Sequence, residues 1–498
     1  MNGLLMVTAA FLPQAAGLLI AFSKGLNANR KTRNIFVTAI LAVECALVLC
    51  IALGGETTLV LFNLSDNLPI ALRSDRIGIV FSLVMSVMWM LSGIFSFAYM
   101  AHEKNEKIYY AFYLLTLGAL MALCYAATLV TMYLFFEAVT LLSLALVLHE
   151  RTKEAIAAAI KYMIYSVAGA TMGLLGIFFL VPNMSNQYFV AGGSLNAESL
   201  TLSSGSLLVI IFLAIVGFAT KAGMFPMHGW LPTAHPVAPA PASAVLSGII
   251  TKAGVICVIR VIYFSVGVNF LRGTWVQIAL LTLSSITVFM GSMMALNEKL
   301  LKKRLAYSSV SQVSYVLCGL FLMDQTALSG SLLHVVFHAL IKNGLFLSAG
   351  AIIAITGLKY VDQLKGLGRK MPVVFWCFTF CSLGLIGIPP TGGFISKWFI
   401  AEGAVAGLSH SPVPVFSWFI PAVLLVSALL TAGYLLPISI HGFFSSPDQE
   451  NLDVVSRTTR APRMMTVPLM LIAAAVVLLG MFPGCLIRLF DQIAALLV

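Results

Sequence analysis

The run Lys221-Ala-Gly-Met-Phe-Pro-Met-His-Gly-Trp-Leu-Pro232 decides how this chain folds. It interrupts an otherwise apolar stretch, and Pro236, Pro239 and Pro241 follow closely. Proline removes a backbone donor and clashes with a continuing helix. In water such a run reads as a loop. In lipid, irregular backbone survives only where protein or a water-filled cavity surrounds it. A second run, Gly387-Ile-Pro-Pro-Thr-Gly-Gly-Phe-Ile-Ser-Lys397, has the same ingredients, again with a lysine at hand. Pro226 and Pro232 mark the first break, and Pro389, Pro390, Gly392 and Gly393 the second.

Composition makes lipid the solvent. Of 498 residues, 60% are apolar and 9% charged, with a mean hydropathy of +1.00. A soluble domain carries roughly 25% charged residues. Each hydrocarbon crossing takes about 20 apolar residues. The hydrophobic runs predict fourteen helices, near 3–23, 35–54, 77–100, 109–126, 127–149, 155–181, 206–227, 241–267, 273–296, 303–323, 330–356, 372–408, 415–443 and 464–490. The expected class is an all-α polytopic membrane protein with no large soluble domain. The first helix shows no small-residue cleavage pattern and reads as a retained span.

The breaks fall in the seventh and twelfth spans, five helices apart. An odd offset reverses the orientation of a copied unit. The expectation is an inverted repeat, with paired interrupted helices flanking a transport path. That divides the chain into 1–108 (helices 1–3), 109–267 (first five-helix repeat), 273–443 (inverted second repeat) and 444–498 (helix 14).

The formal charge of +11 does not point to nucleic acid, because of its distribution. Basic residues crowd alternate connections: Lys24 to Arg33, Lys104 and Lys107, Arg151 and Lys153, Lys299 to Arg304, Lys359 to Lys370, and Arg457 to Arg463. The other connections and the C-terminal end hold only Arg73, Arg76, Arg272 and Arg488. This is the positive-inside asymmetry. It predicts cytoplasmic odd-numbered connections and both termini outside, in a bacterial or archaeal cell membrane.

Charges inside the spans need a reason, since each costs about 2.5–3.5 kcal/mol at mid-bilayer on insertion scales. Glu137 and Lys252 lie about ten residues into the fifth and eighth spans, and Lys221 and Lys397 stand at the breaks. His334, His338 and Lys342 recur at intervals of four, sharing one helix face. Titratable groups in series suit a proton relay, with histidine linking two lysines because its ordinary pKa is near 6.5. Other charges have plainer readings. Glu44 fits a structural partner for a neighbouring helix, Glu402 a neutraliser of Lys397, and Lys161 and Arg260 snorkelling side chains. His228 and His235 flank the first break and admit either role.

Metal and redox chemistry find no support. The eight cysteines are scattered without a CxxC pair. The His334-x3-His338 spacing lacks the glutamate and third ligand of a zinc site. No nucleotide loop or nucleophile triad is present, so no cofactor, metal or catalytic residue is expected in this chain. Whether it serves an enzyme is left to its partners.

These stretches resemble the antiporter-like membrane subunits of respiratory complex I, Mrp-type cation/proton antiporters and membrane-bound hydrogenases. The resemblance spans residues 75–440 and rests on Phe136-Glu137, Thr220 to Pro232, Ala238 to Gly248 with Thr251-Lys252-Ala-Gly254, His334-x3-His338-Ala-x2-Lys342, and Gly387 to Phe394 with Lys397. It is nearest to the Mrp D-type subunit. It implies two inverted five-helix repeats, a Glu137–Lys221 pair, Lys252 as the central lysine, His334 and His338 as a bridge with Lys342 as companion, and Lys397 as the terminal group. Thr233 departs from the acidic residue frequent there in complex I members, and a long lateral helix is not expected. The implied partners are other membrane subunits and a peripheral electron-transfer arm, with membrane lipid around them and H⁺ or Na⁺ as the moved ion. A stand-alone secondary transporter for a small solute is the competing reading.

Overall fold

The structure is a computed structural model that describes residues 2–65, 68–196, 202–406 and 414–498. The membrane helices are α1 (Asn2–Phe22), α2 (Arg30–Leu53), α3 (Arg76–Tyr99), α4 (Glu106–Cys124), α5 (Leu129–Val147) and α6 (Lys153–Leu180). The first broken helix follows as α7 (Ser204–Ala222) and α8 (Leu231–Val237), and then α9 (Ala240–Val266), α10 (Trp275–Asn297), α11 (Leu301–Leu322) and α12 (Gln325–Thr356). The second is α13 (Pro372–Ile386) and α14 (Gly392–Ala406), followed by α15 (Val415–Phe444), α16 (Arg463–Met481) and α17 (Gly484–Leu497). Among the described residues, thirteen helices are long and apolar enough to cross a membrane. The short helices α13 and α14 together supply the remaining crossing, so the expected all-α architecture of about fourteen spans holds.

Local chemistry starts these helices. Side chains of Asp75, Thr128, Thr152, Ser203 and Asp324 accept from backbone N–H groups in the first turns of α3, α5, α6, α7 and α12. Such caps satisfy donors that the helix itself cannot. The outer helices turn large apolar side chains outward, among them Leu49, Ile160, Phe178 and Leu425. The centre is the reverse of a soluble core: α9 is entirely buried, and α11 and α12 carry buried polar residues along their length.

Alternate connections hydrogen-bond to one another, as the charge pattern requires. On the basic face, Glu106 pairs with Arg30 and Arg33, Leu301 N–H donates to Lys359 O, Gly366 N–H to His441 O (3.1 Å), and Lys365 pairs with Asp448 (2.9 Å). On the opposite face, Phe189 N–H donates to Ala127 O, Val190 to Phe264 O, and the Arg272 guanidinium to Met323 O.

Two features differ from the sequence expectation. The connection after α2 is an antiparallel hairpin, β1 (Thr58–Asn63) with β2 (Pro69–Arg73), seated by Ala71 N–H on Thr131 Oγ1 (3.0 Å). The fourteenth helix, expected over 464–490, ends at Met481. The chain then turns through Pro483 into α17, whose Phe490, Ile493, Ala494 and Leu497 are buried at helical spacing against α12.

Candidate functional site

At both breaks, side chains bond backbone groups that the interrupted helices free. At the first, Gly223 takes a left-handed turn (φ +83°) after α7. The Trp230 indole N–H donates to Thr220 O (2.9 Å), and Phe225 N–H to Thr287 Oγ1 (3.0 Å). Pro226 lies in the turn itself. Pro232 begins α8, where its missing N–H would have been unpaired anyway. At the second, Gly387 turns at φ +90° and Pro389 and Pro390 form the turn. Gly392 and Gly393 open α14. A Cβ on Gly393 would stand 1.9 Å from Gly384 O, so only glycine lets the two half-helices meet. Lys397 folds back and donates to Leu385 O (2.6 Å) and Ile386 O (3.0 Å). These are unpaired carbonyls at the negative end of α13, where a cation is favoured.

Glu137 and Lys221 lie close without touching. The Lys221 ammonium donates to Thr140 Oγ1 (2.7 Å) and Tyr162 OH (2.6 Å), with the Tyr162 ring 4.7 Å away. Thr140 is one turn beyond Glu137 on α5, so the lysine rests one helical step from the carboxylate. Glu137 Oε1 is buried with no hydrogen-bond partner among the described residues. The pairing implied by the resemblance is therefore an adjacency here: the lysine is bonded to two hydroxyls and not to the carboxylate.

From Lys252 a series of titratable groups runs toward the second break, with His338 Nε2 and His334 Nε2 unpartnered among the described residues. Its ammonium hydrogen-bonds His338 Nδ1 and donates to Ser247 O (3.3 Å). An ammonium donating to Nδ1 leaves the His338 proton on Nε2. The His338 and His334 rings are 6.0 Å apart, and His334 Nδ1 shares a hydrogen bond with Ser396 Oγ (2.8 Å). Ser396 adjoins Lys397. Tyr315 closes the same gap: it stacks on His334 (5.6 Å) and lies 4.9 Å beneath the Lys397 ammonium. Segments of α9 on both sides of Lys252, Leu246–Ile250 and Arg260–Val266, are wound as π-helix. Such bulges frequently mark functional positions. Lys342 leaves this line: its ammonium bonds Ser308 Oγ and Leu305 O on α11.

Between Lys221 and Lys252 there is backbone contact in place of a bond. A Cβ on Gly254 of α9 would lie 2.7 Å from Ala222 N and Phe218 O of α7.

Several residues have other surroundings than the sequence suggested. Lys302, one of a basic run expected to face water, is buried and points inward to Pro236 O (3.2 Å) and Ala238 O (2.6 Å). It lines a cavity of about 450 Å³ on the basic face with Tyr99, Glu103, Glu150 and Lys359. Next to it on α8, His235 is fully buried, stacked on Phe346, with both ring nitrogens unpartnered among the described residues. Arg260 does not snorkel. It pairs with Asp75, and the rings of Phe189 and Phe264 flank it at 5.0 and 4.7 Å. Glu402 is exposed and makes no ion pair with Lys397 among the described residues. Lys161 lies beside the first break, its Cε 3.6 Å from where a Gly229 Cβ would be. His228 is partly buried and stacks on Phe225. Glu44 is wholly buried, with both oxygens unpartnered among the described residues. No cluster of three or more His, Cys, Asp or Glu suited to a metal occurs among the described residues.

The chain and its fold have relatives. Residues 126–411 match the family described as NADH:quinone oxidoreductase/Mrp antiporter, TM. NADH-quinone oxidoreductase subunit N of Desulforudis audaxviator is 33% identical over 76% of this chain and 75% of its own. The D-type subunit of the Na(+)/H(+) antiporter of Alkalihalophilus pseudofirmus is 27% identical over 88% of this chain and 87% of its own. The structure of the Mrp complex from Dietzia sp. contains a chain that superposes with a TM-score of 0.84, covering 99% of this chain and 97% of that one at 22% identity.

Proposed function

Because this chain belongs to the NADH:quinone oxidoreductase/Mrp antiporter family of membrane subunits, we propose that it is a proton- or cation-translocating subunit of a multisubunit membrane complex. It works alongside other membrane subunits, as the relatives' names imply. The observation that carries the reading is the series Lys252–His338–His334–Ser396–Lys397, hydrogen-bonded at Lys252–His338 and His334–Ser396 and spaced 6.0 Å between the histidine rings, which joins α9, α12 and α14 through groups that can each hold or pass one proton. Glu137 and Lys221 form the input pair, with Lys221 moving between its hydroxyl cradle and the carboxylate. A nearby carboxylate favours the charged lysine and burial disfavours it, so that movement changes its grip on the proton. The cavity at Lys302 provides access from the basic face, which we take as cytoplasmic, with both termini outside.

The two breaks support the inverted-repeat reading of 109–267 and 273–443. Each ends its first half-helix in a positive-φ glycine, Gly223 or Gly387, and each has a lysine within ten residues of it. The moved ion is H⁺, exchanged for Na⁺ where the complex resembles that of the D-type relative. A peripheral electron-transfer arm would drive it where the complex resembles that of the NADH-quinone oxidoreductase relative.

Lys252→Ala tests the proposal. Inverted membrane vesicles carrying the assembled variant are expected to lose most proton movement, read as quenching of a pH-sensitive dye, while recovery of the accompanying subunits on gentle purification is unchanged. Full proton movement by a correctly assembled Lys252→Ala complex would sink the line.

A further inference from the structure

The exposed apolar side of the second broken helix carries a crevice that the ion line does not use. Its shaft, about 410 Å³, runs between α13 and α16 and is walled by Trp376, Cys377, Phe380, Met470, Ala473 and Val477. The wall offers almost no polar group. At the basic face it continues into a second cavity of about 330 Å³, which shares Pro372 and Val373 and adds Arg460 and Thr466. The two cavities adjoin at Pro372 and Val373, an apolar shaft beside a mouth that holds an arginine.

Arg460 lines this mouth, and Arg457 and Arg463 stand three residues to either side of it in sequence. Arg457, Arg460 and Arg463 are exposed and in no ion pair among the described residues. Lys370, just before α13, reaches across to Ser456 O (3.4 Å) and ties its segment to the arginine-bearing one. From Val373 to Phe380 the shaft is seven residues long, about 10 Å at the helical rise. That is about a third of the roughly 30 Å hydrocarbon core. Its length suits the upper part of an acyl chain, and it opens where a headgroup would sit.

We propose that this crevice binds one anionic phospholipid, its phosphate among Arg457, Arg460 and Arg463 and one acyl chain between α13 and α16. Charge complementarity selects this occupant. Basic residues beside a span attract anionic headgroups, and a zwitterionic lipid would fill the shaft without answering the mouth. The bound chain braces α13, whose far end presents the carbonyls that hold Lys397.

The test uses the full chain purified with the subunits that accompany it. Native mass spectrometry is run after exchange into mixed detergent micelles holding equal phosphatidylglycerol and phosphatidylcholine. Phosphatidylglycerol is expected to be retained preferentially, and each of Arg457→Gln, Arg460→Gln and Arg463→Gln to lower that preference about fivefold. Ala473→Phe, which fills the shaft, is expected to abolish retention of both lipids. A photo-crosslinking residue at Trp376 supplies a readout independent of that variant's folding, and its adduct should be lipid. Equal retention of both lipids, an unchanged preference in all three arginine variants, or a Trp376 adduct to another subunit would each overturn the proposal.

Discussion

A lysine buried in a membrane is held by whatever oxygen the fold offers, and the choice of oxygen sets how readily it moves. Lys221 is held by two neutral hydroxyls, one of which, Tyr162 OH, also bonds Ser143 Oγ at 2.7 Å. A hydrogen bond to a charged group contributes about 1.5–3 kcal/mol. Tyr162→Phe removes one such bond without disturbing the ring packed on Trp230. Lys221 then shifts toward Glu137, and ion movement in vesicles is expected to fall at least tenfold. Ser143→Ala does not touch Lys221 and reaches it only through Tyr162 OH and the Thr140 carbonyl (3.2 Å), so it is expected to cost less than threefold. A Tyr162→Phe complex as active as wild type would mean that the hydroxyl cradle plays no part. Lys221, Lys252 and Lys397 were legible in sequence because a charge in an apolar run has so few explanations. Thr140 and Tyr162 were not, because hydroxyls are ordinary in membrane helices and only packing shows which of them meets a lysine. Lys302 was hidden differently, in a run from Lys299 to Arg304 whose members look alike in sequence.

Elements position these groups by ending where they do. The carbonyls that hold Lys397 exist because α13 stops at Ile386, and α13 can stop there inside the membrane because α14 packs directly against it. Gly393 permits that contact. Gly393→Ala would drive a methyl group into Gly384 O, and overpacking of this kind costs about 1–3 kcal/mol. The half-helices must separate, and Lys397 loses its carbonyls. The variant is expected to melt lower in detergent and to lose ion movement, whereas Gly205→Ala, with open space around it, should do neither. A silent Gly393→Ala would show that α13 and α14 tolerate separation. Both breaks could be read from Pro and Gly inside hydrophobic runs. The hairpin β1–β2 could not, since two strands of six and five residues carry no periodicity long enough to distinguish them from a loop. The end of the fourteenth helix was obscured for the opposite reason: the apolar pattern continues through the turn at Pro483 into α17.

At the scale of the molecule, the ion line works only if the helices around it keep their places while lysines move within them. The Asp75–Arg260 pair is suited to that duty. Asp75 caps α3 through Gly78 N–H (2.8 Å) and holds Arg260 at the end of α9 opposite the basic face, so one buried pair ties the flanking helices to the central one. Its energetics are asymmetric. Breaking a buried pair by removing one member leaves an uncompensated charge and costs about 3–5 kcal/mol, while replacing both members with apolar or neutral groups is often close to neutral. Asp75→Ala is therefore expected to lower the melting temperature of the purified protein sharply. Asp75→Ser with Arg260→Met keeps a capping oxygen, removes both charges and should recover most of the loss. Ion movement separates the two roles the pair can have. If the pair only fastens helices, the double variant pumps normally once stability returns. If its charges also shape the field along α9, where Lys252 lies eight residues away, the double variant folds yet moves ions at an altered rate. Failure of the double variant to recover any stability would show that Arg260 is held by its aromatic neighbours more than by Asp75.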